Sequence, residues 1–474
     1  MALRAELTRG ITASPEGPKI GAFFDVDRTL LAGYSATAFF QDKLSSRELS
    51  FADFLQSTRA ALRFGLEQTS FPTLIEETSS DFRGRSAAEL EELGARIFAE
   101  RLATEIYPES RALVSAHQRR GHTVAIISSA THFQVDAVAR ELGIETVLCT
   151  ELEMEEGHFT GKVMRPACFR EGKLHAAQGL AARQGVDLDQ SFFYSDSYDD
   201  ISLLEGVGNP KPVNPDKKLS EIAEKRGWPV LDFASRGRPS AREILRLGLS
   251  LSALGPAAMV GIPAALATGS VRRGFDLGIS TYSDLSTALT GVELEVEGEQ
   301  HLWSHRPAVF IFNHQTGLDT LLMSKLLRKD VVGVAKAELS GNPIMGPLLR
   351  ATGTVFVERS SRGKAAEAMQ PAVDALADGL SLVIAPEGTR SSTPRLGPFK
   401  KGAFHVAMQA GVPIVPVIIR NAGDALPNKT FVVRPATVEV VIHPPIPTTD
   451  WSPKELDARI EKIQRLFQET LDDA

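Results

Sequence analysis

Leu247 to Val271 runs for 25 residues without a charged side chain, with Arg242 and Arg246 before it and Arg272 and Arg273 after it. As one straight helix it would measure about 37 Å, enough to cross a hydrocarbon core of ~30 Å. Three features point to something shallower. Pro256 and Pro263 interrupt the pattern, glycine and alanine dilute it, and the arginines are balanced across it, whereas a crossing helix carries its positive excess on one side. A single crossing would also put the two halves of the chain on opposite faces of a membrane. The pattern therefore predicts a helical hairpin or an interfacial insertion that leaves both ends in the cytoplasm, ahead of a single span or a buried pair of soluble helices.

With that segment in the middle, 474 residues are too many for one core, and each half reads as α/β. Residues 20–24, 124–127 and 192–194 are short apolar runs that end in polar side chains, the mark of buried parallel strands. Helical segments at 134–142 and 173–184 lie between them. This is βαβ material, whose ligands bind at the carboxyl ends of the strands. Between the first two strands, about 36–110, Phe51, Phe54, Leu55, Leu90, Leu93, Ile97 and Phe98 recur at helical spacing. They predict an all-helical cap whose apolar stripes form its own core. A polar, turn-rich linker at 234–241 ends the first domain.

From Val292 the pattern is strand-like again, with an apolar strand at 307–312, a helix at 321–327 and a strand at 412–417. Ser452, Pro453 and Glu455 form a capping box that opens a closing helix through Leu456, Ile460, Ile463 and Leu466. The expected fold class is α/β in both halves. A Rossmann-like parallel sheet with its helical cap occupies 19–235, a linker and hydrophobic membrane-associating helical segment 236–291, and a second α/β domain 292–474.

Asp25 and Asp27 stand two apart at the end of the first strand, so their side chains point the same way and repel unless a cation or proton intervenes. Mg²⁺ meets that need, being a hard cation that prefers oxygen ligands. Asp196 and Asp200 follow the third strand and complete the acidic set. Together with Thr29, Ser128 after the second strand, Lys173, and the run from Ser195 to Asp200, these motifs resemble the haloacid dehalogenase superfamily of phosphatases, in the branch close to phosphoserine phosphatases. The resemblance covers about 20–230. It implies that Asp25 attacks phosphorus, that Asp27 protonates the leaving oxygen and then activates water, and that Ser128 and Lys173 hold the phosphoryl oxygens. It also implies a Mg²⁺ site drawing on Asp25, Asp27, Asp196 and Asp200. Leu30 to Ser35 contains no acid to hold a substrate amine, which sets phosphoserine itself aside as the substrate.

In the second half, His314 and Asp319 follow the strand at 307–312. On one helix they would diverge by about 140°, so the histidine belongs on the loop and the aspartate in the first helical turn, where its carboxylate can bind one imidazole nitrogen and leave the other as a base. No adjacent nucleophile of the expected kind is present, and direct attack by an acceptor hydroxyl is the simplest chemistry. His314 and Asp319, the run from Gly353 through Phe356 to Arg359, Glu387-Gly388-Thr389-Arg390, and Val412 to Pro416 resemble the glycerolipid acyltransferases, in particular 1-acylglycerol-3-phosphate acyltransferases, over about 290–445. The resemblance implies that His314 is the base and Asp319 its partner. Arg359, Glu387, Gly388, Thr389, Arg390 and Lys401 would form the acceptor phosphate site, with Lys336 a further anion-binding candidate and acyl-CoA the co-substrate.

Cys149 and Cys168 provide neither a disulfide framework nor a four-ligand zinc site, and residues 1–19 lack the apolar core of a secretory signal. No Lys/Arg block suggests nucleic acid. Residues 301–450 hold five more basic than acidic side chains while the whole chain carries −7, a balance that suits an anionic ligand or lipid surface. His132, His175, His301, His305 and His405 have no motif partner and read as ordinary residues. The expectation is a fused Mg²⁺-dependent phosphatase and acyl-CoA-dependent acyltransferase that makes phosphatidic acid from lysophosphatidic acid at the cytoplasmic face of the membrane. The alternative is an acyltransferase for glycerol-3-phosphate or another lysophospholipid, with a non-catalytic, regulatory phosphatase-like domain.

Overall fold

The computed structural model describes residues 2–45, 82–237, 239–341, 346, 349–350, 353–357, 369–391, 393, 395–427 and 430–472. Phe51, Phe54, Leu55 and Arg359 lie outside them. The chain divides into two compact units, Met1–Arg238 and Pro239–Ala474.

The first unit is built on β1 (Ile20–Phe24), β2 (Thr123–Thr131), β3 (Thr146–Thr150), β4 (Leu152–Glu155), β5 (His158–Val163), β6 (Asp187–Ser195) and β7 (Asn209–Pro212). Five of these form a parallel sheet in the order β3-β2-β1-β6-β7. Strand alternation divides its side chains cleanly. Phe23, Ala125, Ile127 and Phe193 face the helix Glu171–Gln184 through Ala177 and Leu180. Ala22, Phe24, Ile126, Phe192 and Tyr194 face the other way. Both faces are apolar because both are covered, which is why the strands read as continuous hydrophobic runs.

The described ends of the cap are the helices Ser35–Ser45 and Ala87–Ile97. Leu90, Ile97 and Phe98 are buried and Leu93 partly so, but in the same cluster as the sheet residues rather than in a core of the cap alone. Gly94 explains the closeness: a Cβ there would stand 2.0 Å from the carbonyl oxygen of Phe133, at the start of the helix His132–Leu142. Several elements had no counterpart in the sequence reading, among them a leading helix and a hairpin beside the cap. The helix Ala2–Thr12 leads the chain, and the β4-β5 hairpin projects beside the cap, where Phe159 exchanges backbone hydrogen bonds with Gly84 and Arg85.

The second unit adds β8 (Val292–Glu297), β9 (Val309–Phe312), β10 (Val331–Lys336), β11 (Val355–Val357), β12 (Ser381–Ile384), β13 (Ile414–Ile419) and β14 (Ala436–Ile442). Their order is β11-β10-β12-β9-β13-β14-β8, parallel except for the antiparallel pair β13-β14. β9 is central and wholly buried. Its Phe310 and Phe312 pack with Leu318, Leu322 and Met323 of the helix Leu318–Leu327, while Val309 and Ile311 pack with Phe404 and with Ile463 and Phe467 of the closing helix Leu456–Asp472. Phe467, four residues after Ile463, takes the buried place expected for Leu466. That helix begins at Leu456, after a turn at 452–455, rather than at Pro453.

The apolar segment folds as a hairpin, but its arms differ from the expected ones. Ala241–Ser252 and Leu254–Thr268 continue one another over 28 residues, Gly269 reverses the chain, and Val271–Thr290 returns. The uncharged stretch is thus most of one arm. Pro263 lies inside the helix instead of ending it, and Pro256 falls in a first turn, where its missing N–H costs little. Glycine lets the arms touch: a Cβ on Gly274 would lie 2.5 Å from both the Ala265 Cβ and the Gly261 carbonyl oxygen. The returning arm is seated on the sheet domain through its polar side chains. The Ser280 hydroxyl donates to the Arg328 carbonyl oxygen at 2.8 Å, and Asp276 accepts from Asp330 N at 3.0 Å. The first arm leaves Met259 77% and Leu266 80% exposed, along with Ile244, Leu245, Leu254 and Ile262.

Candidate active sites

In the first unit Asp25 follows β1, its amide donating to the Tyr194 carbonyl oxygen of the adjacent β6. Lys173, from the helix behind the sheet, is 3% exposed and reaches Asp25 Oδ1 at 2.7 Å and Asp200 Oδ2 at 2.8 Å. The Ser195 hydroxyl donates to Asp200 Oδ2 at 2.5 Å, and Arg28, at φ 58°, pairs with Asp196 Oδ2 at 3.0 Å. Ser128, expected after the second strand, is buried within β2, which continues to Thr131, and its oxygen accepts from Ala130 N at 3.2 Å. Asp27 turns toward the cap: Ser35 N donates to Oδ1 at 2.6 Å and the Ser35 hydroxyl to Oδ2 at 3.3 Å. The acid is thereby docked to the first turn of the first cap helix.

Burial drives the electrostatics. It pushes Asp25 up to about 8, against Lys173 and with help from Asp200 and Asp196. It pushes Asp196 up to about 7, against Arg28, and raises Asp27 despite the Ser35 bonds. Burial works against the Lys173 charge, yet Asp200 and Asp25 hold its pKa above the ordinary lysine value.

The four aspartates expected around one ion do not converge as a ligand set: among the described residues no group of three or more His, Cys, Asp or Glu side chains could hold a metal. Asp27 is spent on Ser35 and Asp200 on Lys173 and Ser195. Asp25 and Asp196, paired with Lys173 and Arg28, are two buried carboxylates whose pKa values are raised first by burial and further by the neighbouring acids. Oxygen donors in that condition fit a hard divalent cation. Ser35 and Arg28 were given no role in the sequence, and Ser195 entered only as the first residue of the motif that runs to Asp200.

In the second unit the loop after β9 carries His314 and the first turn of Leu318–Leu327 carries Asp319. His314 Nδ1 lies 2.8 Å from Asp319 Oδ2. Asp319 is fully buried and also accepts from Gln315 N at 2.7 Å, Thr316 N at 2.8 Å and the Thr316 hydroxyl at 3.2 Å. These donors hold the carboxylate in one orientation and assign the proton of the imidazole to Nδ1, leaving Nε2 to accept. Asn313 fixes the loop from beneath, exchanging two 2.8 Å bonds with Ile419 of β13.

Glu387, expected in the phosphate site, has another part. Its carboxylate accepts from His314 N at 2.9 Å and Gly397 N at 2.8 Å, and burial raises its pKa against those bonds. This buried carboxylate ties the His314 loop to the turn at 387–390. Gly388 has φ 73°, and a Cβ there would come within 2.8 Å of Lys400 Nζ. Lys400, overlooked in the sequence, therefore lies along this turn. Its neighbour Lys401 instead makes an exposed ion pair with Asp457 at 2.6 Å. Both lysines are exposed, and nothing in composition separates the one beside Gly388 from its neighbour. Thr389 and Arg390 are exposed, with Arg390 Nη1 near Gly317 of the His314 loop, and Lys336 ends β10.

Residues 22–205 match the haloacid dehalogenase-like hydrolase family and residues 293–420 the acyltransferase family. A phosphoserine phosphatase of Mycobacterium tuberculosis is 35% identical over 258 residues, which are 52% of this chain and 80% of the relative. A 1-acyl-sn-glycerol-3-phosphate acyltransferase of Limnanthes alba is 36% identical over 184 residues, 39% of this chain and 65% of the relative. Its counterpart in Limnanthes douglasii is 35% identical over 182 residues, 38% and 64% of the respective chains.

Proposed function

Since this chain belongs to the haloacid dehalogenase-like hydrolases through its first half and carries an acyltransferase-like domain in its second, we propose that it is a bifunctional enzyme of phospholipid synthesis. Its second unit transfers an acyl group from acyl-CoA to lysophosphatidic acid, giving phosphatidic acid. Its first unit hydrolyses a phosphate monoester. The observation that carries the reading is the buried Asp319 carboxylate against His314 Nδ1.

His314 Nε2 removes the proton of the acceptor hydroxyl as that oxygen attacks the thioester carbonyl, and Asp319 stabilises the imidazolium formed. The proton then passes to the departing thiolate. Base catalysis of this kind contributes about 10² to 10⁴ in rate. Arg390, Lys400 and the backbone around Gly388 hold the acceptor phosphate, since guanidinium and ammonium groups match its oxygens.

In the first unit an Asp25 oxygen attacks phosphorus while the P–O bond to the alcohol breaks. Asp27, whose burial favours the protonated form, gives its proton to the leaving oxygen and then takes one from the water that releases phosphate. Ser128 and Lys173 hold the phosphoryl oxygens. Asp25, Asp196 and the main-chain oxygen of Asp27 would hold Mg²⁺, which when bound neutralises charge on the phosphoryl group. The exposed arm of the hairpin lies in the interface of the cytoplasmic leaflet.

Thin-layer analysis of products from labelled acyl-CoA with a panel of lysolipids and glycerol-3-phosphate, with and without Mg²⁺, tests the reading. Labelled phosphatidic acid from lysophosphatidic acid is expected. Acylation of a phosphate-free acceptor alone would contradict it.

A further inference from the structure

Arg28 follows Asp27 in the loop after β1 and has a φ of 58°. Its N–H donates to the Gly33 carbonyl oxygen at 3.1 Å, which closes the loop in that left-handed conformation. Glycine takes such a φ without strain, whereas any residue with a Cβ is disfavoured there. The backbone gains nothing from an arginine at this place. What the residue contributes is its guanidinium.

That group meets Asp196 Oδ2 through Nη1 at 3.0 Å. Asp25, the other carboxylate assigned to Mg²⁺, is met by Lys173 at 2.7 Å. The two basic groups are anchored very differently. Lys173 is 3% exposed and also reaches Asp200 at 2.8 Å, so two buried acids hold it. The Arg28 side chain is 35% exposed, and Asp196 is its one acidic partner among the described residues. Its other contacts are the exposed Tyr34 hydroxyl and, at 3.4 Å, the Asn214 carbonyl oxygen. A half-exposed pair with so little support is weak. Lys173 is therefore fixed and Arg28 exchangeable.

We propose that Arg28 is a positioning residue that competes with Mg²⁺ for Asp196 and so sets how tightly the phosphatase site takes its metal. The proposal rests on the phosphatase reading and adds to it a control of metal occupancy. The guanidinium neutralises a carboxylate whose burial would otherwise be costly. A divalent cation shared by Asp25 and Asp196 supplies the same neutralisation, and the like charge of the guanidinium opposes it. A carboxylate paired about nine-tenths of the time takes a competing cation about tenfold more weakly than a free one.

The test is calorimetric titration of Mg²⁺ into the full-length protein after dialysis against EDTA and its removal. Arg28→Gln should bind Mg²⁺ about tenfold more tightly than wild type. Arg28→Gly, which also relieves the backbone, should do the same, and it carries the comparison if the glutamine variant misfolds. Melting in EDTA and in saturating Mg²⁺ separates this role from a structural one. The rise caused by Mg²⁺ should be larger in the variants than in wild type, whereas loss of a purely structural contact would lower both melting temperatures alike. Affinity in the folded variants equal to or below that of wild type overturns the proposal and leaves the metal reading standing. Binding that persists unchanged in Asp196→Asn, or no saturable binding by wild type and variants alike, removes the metal reading and this proposal with it.

Discussion

Replacing Asp319 by asparagine isolates one contribution to acyl transfer, because the local geometry can survive it. Oδ2 accepts from His314 Nδ1, Gln315 N and Thr316 N, and an amide oxygen can take all three bonds. The new NH₂ group then faces the Thr316 hydroxyl, which already accepts from Leu318 N and can turn to accept again. Asp319→Ala would instead orphan buried amides at about 1–3 kcal/mol each and confuse folding with catalysis. In Asp319→Asn only the charge is lost. Two unit charges ~4 Å apart at an effective dielectric near 20 attract by about 4 kcal/mol. Removing the carboxylate charge thus withholds up to about 4 kcal/mol from the imidazolium, a fall in kcat of about 10² to 10³. Steady-state transfer from labelled acyl-CoA, with circular dichroism to verify folding, measures it. A folded variant within threefold of wild type would refute the assignment of His314 as a base that becomes charged.

Gly388→Ala forces a side chain into the left-handed region at about 1–2 kcal/mol and displaces Lys400, so KM for the acceptor phosphate should rise more than kcat falls. Met259→Glu/Leu266→Glu on the exposed arm should weaken sedimentation with anionic phospholipid vesicles by tenfold or more, since each apolar side chain buried contributes about 1.5–3 kcal/mol. His117 lies between His122 Nδ1 at 2.8 Å and the Tyr194 hydroxyl at 2.9 Å, and burial, with His122 and Lys211 adding, pushes it down to about 3. The unfolded chain takes up that proton near pH 6.5 and the folded one does not until about 3, so this histidine's contribution is present above about 6.5 and lost as pH falls. Calorimetry from about pH 7 to pH 4 should show a steeper loss of stability in wild type than in His117→Asn.

Much of this architecture was legible because it is local. The runs ending at Asp25, Ser128 and Asp196 are strands wherever the chain folds, and the five-residue spacing of His314 and Asp319 sufficed to separate a loop from a first helical turn. Contacts set by tertiary packing were not. Asp27 meets Ser35 through a cap whose placement depends on Gly94 against Phe133. The hairpin turns at Gly269 because Gly261 and Gly274 let its arms meet, so the uncharged stretch marks one arm rather than two. Lys400 and Lys401 are equivalent in composition, and only the start of the helix Gly402–Ala410 decides which of them lies along Gly388.

The central claim is that two chemistries reside in two separate constellations, and paired single variants of the full-length protein test it most directly. His314→Ala should abolish acyl transfer while leaving phosphate release from p-nitrophenyl phosphate intact, and Asp25→Asn should do the reverse. Loss of both activities from either substitution, in protein that remains folded, would contradict it.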